Sequence, residues 1–298
     1  MSIAGATASA DLTKICPLVS RRTNPKYEAD KTHVVRVKQV EFGAGRPVII
    51  AGPCSVESAE QTLELAHAVK AVGADMLRGG AYKPRTSPHD FQGLGLVGLE
   101  ILSEASLQTG LPIVTEVMDP RLVEQVGAYA DMLQIGSRNM QNYPLLVEVG
   151  RLGKPVLLKR GMAASLCEWL GAAEYIAKEG NRNIVLCERG IKAYPSGEYS
   201  RFILDLNVIP ALQSETFLPV IVDPSHATGV ARMVEPASRS ALEAGSHGLI
   251  VEVASERPGA PCPKCDAAQA ISPTALGRIV EFARTCIGQK AEGRACAV

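Results

Sequence analysis

Six cationic side chains, Arg78, Lys83, Arg85, Arg138, Lys159 and Arg189, stand at or just after the ends of short apolar runs. Arginine grips planar oxyanions with a two-pronged fork, and lysine acts as a point charge. Gathered round one cavity, six cations would repel one another unless a polyanionic ligand filled it. The pattern therefore implies one or two substrates carrying phosphate and carboxylate groups. A second set is Cys54, His226, Glu252 and Asp266. A thiolate, an imidazole and two carboxylates suit a divalent transition metal, and Mn, Fe, Co and Zn all tolerate this donor set. Taken singly, each residue has a blander reading. A lone cysteine more often packs in a core, a lone histidine more often makes a structural hydrogen bond, and an arginine after a strand more often forms a surface ion pair. A third candidate is Cys262-Pro-Lys-Cys265. Such a pair can be half a zinc site or a redox couple. With no second pair nearby, its plain reading is two free thiols in a loop, unless Cys265 reaches the metal set through its neighbour Asp266.

What positions these residues is a series of eight short runs: Val48–Ala51, Asp75–Leu77, Ile113–Val117, Met132–Ile135, Val156–Leu158, Ile184–Cys187, Val220–Val222 and Leu249–Val253. Each is too short for a helix, and most are rich in Val, Ile and Leu, as strands buried on both faces are. Amphipathic stretches lie between them, such as Ser58–Val72, Gly98–Thr109, Pro120–Ala128, Ser165–Glu179 and Pro236–Ala244. Alternating strands and helices make parallel βαβ units, and eight of them predict an α/β fold of the (β/α)8 TIM barrel type. The rival, an open doubly wound sheet, is weakened because no G-x-G-x-x-G turn follows the first run. In a barrel, the strand ends converge on one face. Cys54, Arg78, Glu116, Ser137 with Arg138, Lys159, Arg189, His226 and Glu252 would all meet there. Ahead of the first run, Val34–Glu41 alternates as a half-buried strand and Gly43, Gly45 and Pro47 mark a turn, which predicts a small hairpin closing the barrel's base. The expected division is an N-terminal extension over 1–33, a catalytic barrel over 34–286 and a tail over 287–298.

Composition narrows the class further. In 298 residues, 31 Lys and Arg balance 31 Asp and Glu, which argues against a broad nucleic-acid-binding surface. A hydrophobic content of 46% suits a globular protein rather than a disordered one. No run approaches the roughly 20 apolar residues that span a bilayer, and the start of the chain lacks the apolar stretch of a secretory signal. The expectation is a cytoplasmic protein without a membrane partner. Eight scattered cysteines then read as reduced thiols.

Six motifs carry a resemblance: Ala51-Gly-Pro-Cys-Ser-Val-Glu-Ser58, Arg78-Gly-Gly-Ala-Tyr-Lys-Pro-Arg-Thr-Ser-Pro88, Gln134-Ile-Gly-Ser-Arg-Asn-Met-Gln-Asn142, Leu158-Lys-Arg-Gly161, Glu188-Arg-Gly-Ile191 and Asp223-Pro-Ser-His-Ala-Thr-Gly229. In this order, over about Val34 to Glu281, the chain resembles the type I 3-deoxy-D-arabino-heptulosonate 7-phosphate (DAHP) synthases. The closer match is to the branch similar to 3-deoxy-manno-octulosonate 8-phosphate (KDO8P) synthases. Lys83-Pro-Arg-Thr-Ser and Gly136-Ser-Arg-Asn-Met-Gln-Asn look like the DAHP synthase forms. The resemblance implies condensation of phosphoenolpyruvate (PEP) with erythrose 4-phosphate, releasing phosphate, the first step of the shikimate pathway. It implies that Arg138 and Arg189 hold the PEP phosphate and that Arg78 and Lys159 face its carboxylate, with Lys159 also a proton donor. By the same carry-over, Lys83, Arg85 and Thr86 take the aldose phosphate and its chain, with Ser137 beside them. Cys54, His226, Glu252 and Asp266 match the metal ligands, and Glu116 is placed to orient a water. A homodimer or tetramer is implied as well.

Departures from the family pattern fall in two loops. The run Val251-Glu-Val-Ala-Ser-Glu-Arg-Pro-Gly-Ala-Pro-Cys-Pro-Lys-Cys-Asp266 is longer than the usual link to the metal aspartate. Arg201-Phe-Ile-Leu-Asp205 replaces the usual Arg-Asn-Thr-Leu-Asp, and Lys192-Ala-Tyr-Pro-Ser-Gly is unlike the common loop. Both changes fall near the expected substrates, so a different acceptor aldose stands as the alternative, with a catalytically silent barrel as a third reading. The chain has no room for the regulatory domain of roughly 70–90 residues that some relatives add, so feedback control by such a domain is not expected.

Overall fold

A computed structural model describes residues 11–27, 31–193 and 201–291, the last five by backbone alone. Chain order starts with a short helix, α1 (Leu12–Ile15), and a hairpin of strands β1 (Val35–Val37) and β2 (Val40–Phe42). Eight strands follow: β3 (Val48–Gly52), β4 (Met76–Arg78), β5 (Ile113–Glu116), β6 (Met132–Ile135), β7 (Val156–Lys159), β8 (Ile184–Glu188), β9 (Val220–Val222) and β10 (Gly248–Glu252). All pair in parallel with their sequence neighbours, and β10 pairs with β3 to close the barrel. Every residue of these strands is buried, as the unbroken apolar runs require of strands covered on both sides.

The outer ring is built from α2 (Ala59–Ala71), α3 (Leu96–Thr109), α4 (Val123–Tyr129), α5 (Tyr143–Leu152), α6 (Leu166–Lys178), α7 (Val208–Glu215), α9 (Ala231–Glu243) and α10 (Pro273–Ala291), while the short α8 (Pro224–Thr228) follows β9 at the mouth of the barrel. Their starts are written in the sequence. The Ser58 hydroxyl accepts the Gln61 amide, and Ser165 with Glu168 forms a reciprocal capping box. One boundary differs from expectation: α9 begins at Ala231 rather than Pro236, which sits inside the helix.

The hairpin also differs in detail. The turn falls within the run Val34–Glu41, at Lys38–Gln39, because Lys38 takes a left-handed φ of 50° and folds the run on itself. Val35, Val37, Val40 and Phe42 thereby share one face. They pack into a single cluster with Val48, Ile50, Met76, Val114, Met132, Leu157, Val185, Ile221 and Ile250, side chains from all eight barrel strands. The hairpin therefore plugs the base, as its expected position implied.

Residues 11–27 pack on the outside of the ring. The Leu18 and Val19 amides donate to the Glu174 carboxylate, Arg21 donates to the carbonyls of Gln213 and Thr216, and Cys16 and Val19 are fully buried. Burial pushes the Cys16 thiol up to about 12. Among the described residues, no helix is long and apolar enough to cross a membrane.

Candidate active site

At the C-terminal ends of the strands, the polar groups meet. Cys54 follows β3, His226 lies on α8 just after β9, Glu252 ends β10, and Asp266 lies in the loop beyond it. One ligand atom from each falls within 4.8 Å of all the others. The long link from Glu252 thus brings Asp266 back to the cluster, with its backbone in the left-handed region at φ 51°. His226 is oriented by a helix-capping carboxylate: Asp223 Oδ1 accepts the His226 amide, and Asp223 Oδ2 takes Nδ1 at 2.7 Å. That leaves Nε2 facing Glu252 Oε1 at 3.3 Å and Asp266 Oδ2 at 3.8 Å. Burial lowers the His226 pKa and favours the neutral imidazole, the form that ligates metals.

Glu252 Oε1 is fully buried and lacks a hydrogen-bond partner among the described residues, although Arg78 Nη2 stands 3.0 Å away. Its other oxygen accepts from Gln269 Nε2 at 2.6 Å. Burial would raise the carboxyls of Glu252 and Asp266. The surrounding cations hold Glu252 low and bring Asp266 to about 2. Two ionised carboxylates, a neutral imidazole and a thiol, with one buried carboxylate oxygen outside any hydrogen bond, fit a divalent metal. The Cys54 thiol is pushed well up by its contact with Cys265 and by burial, so a metal entering there would displace a proton.

The cations surround the cleft above this cluster. Arg78, Lys83, Lys159 and Arg189 are buried, whereas Arg85 is partly exposed and Thr86 and Arg138 are exposed at the rim. Lys159 Nζ lies 2.5 Å from Asp223 Oδ2. Lys83 Nζ bonds the Cys54 carbonyl at 3.2 Å and the Cys54 sulfur at 3.1 Å. Burial depresses the Arg189 pKa, and its Nη1, with Arg78 Nη1 and Ser137 Oγ, has no hydrogen-bond partner among the described residues. Buried donors without partners are costly, and an anion at this cleft wall would satisfy them. Glu116 lies against Gly136, where a Cβ would sit 2.0 Å from Glu116 Oε1. Arg160, in contrast, is held inside by Glu188 and Asp205 at 3.0 and 2.9 Å and serves packing.

The family model of the DAHP synthetase I family matches residues 26–289. The chain belongs to the DAHP synthetase I family. A phospho-2-dehydro-3-deoxyheptonate aldolase of Thermotoga maritima is 48% identical over 236 residues, covering 79% of this chain and 68% of that protein. A 2-dehydro-3-deoxyphosphooctonate aldolase of Syntrophotalea carbinolica is 34% identical, covering 74% and 84%. The crystal structure of a DAHP synthase from Thermotoga maritima superposes with a TM-score of 0.84 at 43% identity, covering 92% of this chain and 77% of that one. A truncated form from the same organism gives 0.82 at 39% identity, covering 93% and 98%. Similarity to both aldolase groups agrees with the KDO8P-like branch of the DAHP synthetases.

The six cations, the four-residue set and Thr86, Glu116 and Ser137 all lie at this mouth, whereas Cys262 does not. Cys54 and Glu252 form its floor, and the rest line its walls. Sequence reasoning gave no role to three neighbours, Gln269, Arg201 and Phe202, and raised a fourth, Cys265, through its neighbour Asp266. Cys265 Sγ sits 3.0 Å from Cys54 Sγ and 2.7 Å from Arg85 Nη1, so half of the CxxC motif belongs to the site while Cys262 stays exposed. Gln269, Arg201 and Phe202 also reach it. Arg201 and Phe202 had a signal in the departure from the usual loop. Gln269 had none. Residues 194–200 of the altered loop lie outside the described residues.

Proposed function

We propose that the cleft carries out the family's reaction: PEP carbon 3 attacks the aldehyde carbon of erythrose 4-phosphate, water adds at PEP carbon 2, and phosphate leaves by C–O cleavage. The product is DAHP, formed in the first step of the shikimate pathway. The observation that carries the reading is a pair of buried guanidinium nitrogens without hydrogen-bond partners among the described residues, Arg78 Nη1 and Arg189 Nη1, in the cleft that also holds the four-residue cluster. Arg138 and Arg189 bind the PEP phosphate. Arg78 and Lys159 take its carboxylate, with Lys159 positioned to donate a proton as the aldehyde oxygen becomes a hydroxyl. Lys83, Arg85 and Thr86 bind the acceptor phosphate and chain, and Ser137 lends its hydroxyl to the same wall. Glu116 orients the water. Cys54, His226, Glu252 and Asp266 hold a divalent ion, Mn, Fe, Co or Zn, which when bound supplies Lewis acidity toward the aldehyde oxygen.

We assign 1–33 to an N-terminal extension, 34–286 to the catalytic barrel and 287–298 to a tail. The protein is read as a cytoplasmic homo-oligomer, a dimer or tetramer. The test is phosphate release from PEP with erythrose 4-phosphate, after EDTA treatment and again after adding Mn2+. Turnover lost and then restored is expected. Bound PEP without turnover would shift the reading to another acceptor aldose, and failure to bind PEP would overturn it in favour of a silent barrel.

A further inference from the structure

Arg201 and Phe202 stand in the cleft wall, yet no role above uses them. Their backbone amides donate to the Thr228 and Ala227 carbonyls at 3.0 and 2.8 Å, which lays them along the end of α8, the helix that carries His226. Two glycines make room. A Cβ on Gly229 would come within 2.8 Å of Arg201 Cβ, and one on Gly190 within 2.6 Å of Phe202 Cβ. Both glycines have positive φ, so side chains are disfavoured there on conformational grounds as well.

From this shared strip the two side chains diverge. Arg201 Nη1 meets Asp266 Oδ1 at 3.1 Å and Gln269 Oε1 at 3.5 Å. Gln269 in turn donates to Glu252, so one guanidinium touches a candidate metal carboxylate directly and the other through an amide. With Oδ1 engaged, Asp266 presents Oδ2 toward Cys54 Sγ at 3.4 Å and His226 Nε2 at 3.8 Å. The Phe202 ring lies 4.1 Å from the Arg189 guanidinium carbon. A ring at that distance interacts with the charge and limits how the guanidinium plane can tilt.

We propose that Arg201 and Phe202 are paired positioning residues, Arg201 fixing which oxygen Asp266 offers to the metal and Phe202 fixing the plane in which Arg189 meets the PEP phosphate. One short strip, braced on α8, then sets the spacing between the two halves of the site. This rests on the metal and anion assignments above. An Arg201–Asp266 pair at the exposed mouth contributes little to folding. Its effect belongs to ligand orientation, where outer contacts of metal ligands change affinity by about 10- to 100-fold.

The test titrates metal-free protein with Co2+ against a chelator, following the Cys54 thiolate-to-cobalt charge-transfer absorption, and measures PEP kinetics in parallel. Arg201→Ala is expected to weaken Co2+ binding about 10- to 100-fold, with Arg201→Lys recovering most of the loss. Phe202→Ala is expected to raise the PEP KM about 5- to 30-fold with kcat nearly unchanged, while Phe202→Tyr behaves as wild type. Phe202→Leu replaces the alanine variant should that fail to fold, since it keeps apolar volume but loses the ring. Wild-type Co2+ affinity in Arg201→Ala, or a fall in kcat at constant KM in Phe202→Ala, would overturn the pairing while leaving the reaction assignment standing. A wild-type protein with no thiolate–cobalt band would overturn the metal assignment and this inference together.

Discussion

His226 Nδ1 and Asp223 Oδ2 lie 2.7 Å apart, and the same oxygen lies 2.5 Å from Lys159 Nζ. One buried carboxylate thus orients the metal-facing imidazole and neutralises the lysine assigned to PEP. Burial would raise the Asp223 carboxyl, but His226 and Lys159 hold it well below the usual carboxylate range. Asp223→Asn keeps the shape and removes the charge. It is expected to weaken metal binding about 10- to 100-fold and to lower stability by about 3–5 kcal/mol, because Lys159 is left buried and unpaired. Chelator competition and urea unfolding measure the two effects separately.

Arg138 and Arg85 share the rim but are assigned to different substrates. Removing a hydrogen-bonded charge from an anion costs about 1.5–3 kcal/mol, or roughly 10- to 150-fold in affinity. Arg138→Ala should raise the KM for PEP by that factor, and Arg85→Ala the KM for erythrose 4-phosphate. Steady-state kinetics with each substrate varied in turn would reveal a reversed pattern, which would exchange the two assignments.

Gly136 is small because Glu116 occupies the space beside it. Gly136→Ala should leave the melting temperature nearly unchanged, since a carboxylate at the end of a flexible side chain can move aside. The displaced Glu116 should lower kcat by up to about 100-fold, the penalty of an ångström-scale misplacement. Thermal unfolding and kcat together separate this from simple loss of fold.

Phe42 is fully buried in the hairpin plug. Phe42→Ala should cost about 3–5 kcal/mol in urea unfolding, with both KM values retained, because the plug lies at the opposite end from the cleft.

Thiol reactivity should follow burial and pKa. In native protein at pH 7, a maleimide should modify exposed Cys262 and leave Cys16 untouched, whose thiol is pushed up to about 12. Peptide mapping with and without urea checks this.

The strands and their polar ends were legible because an unbroken run such as Ile184–Cys187 has only one economical use, burial on both faces. The four-residue cluster was legible through position: Cys54, His226 and Glu252 each follow or end a strand. Contacts between distant loops were not. Cys54 and Cys265 are 211 residues apart, and only the adjacency of Cys265 to Asp266 pointed to which thiol of Cys262-Pro-Lys-Cys265 turns inward. The early start of α9 was hidden because Pro236 reads as a first-turn residue. The hairpin turn was misplaced because Lys38, not a glycine, takes the positive φ.

Because Val35, Val37, Val40 and Phe42 close its base, the barrel, among the described residues, opens at the cleft on the C-terminal ends of its strands. Reactants, water and departing phosphate must all pass the same rim. Whatever reaches the buried donors Lys159 and Arg189 enters past the exposed Arg138 and the partly exposed Arg85.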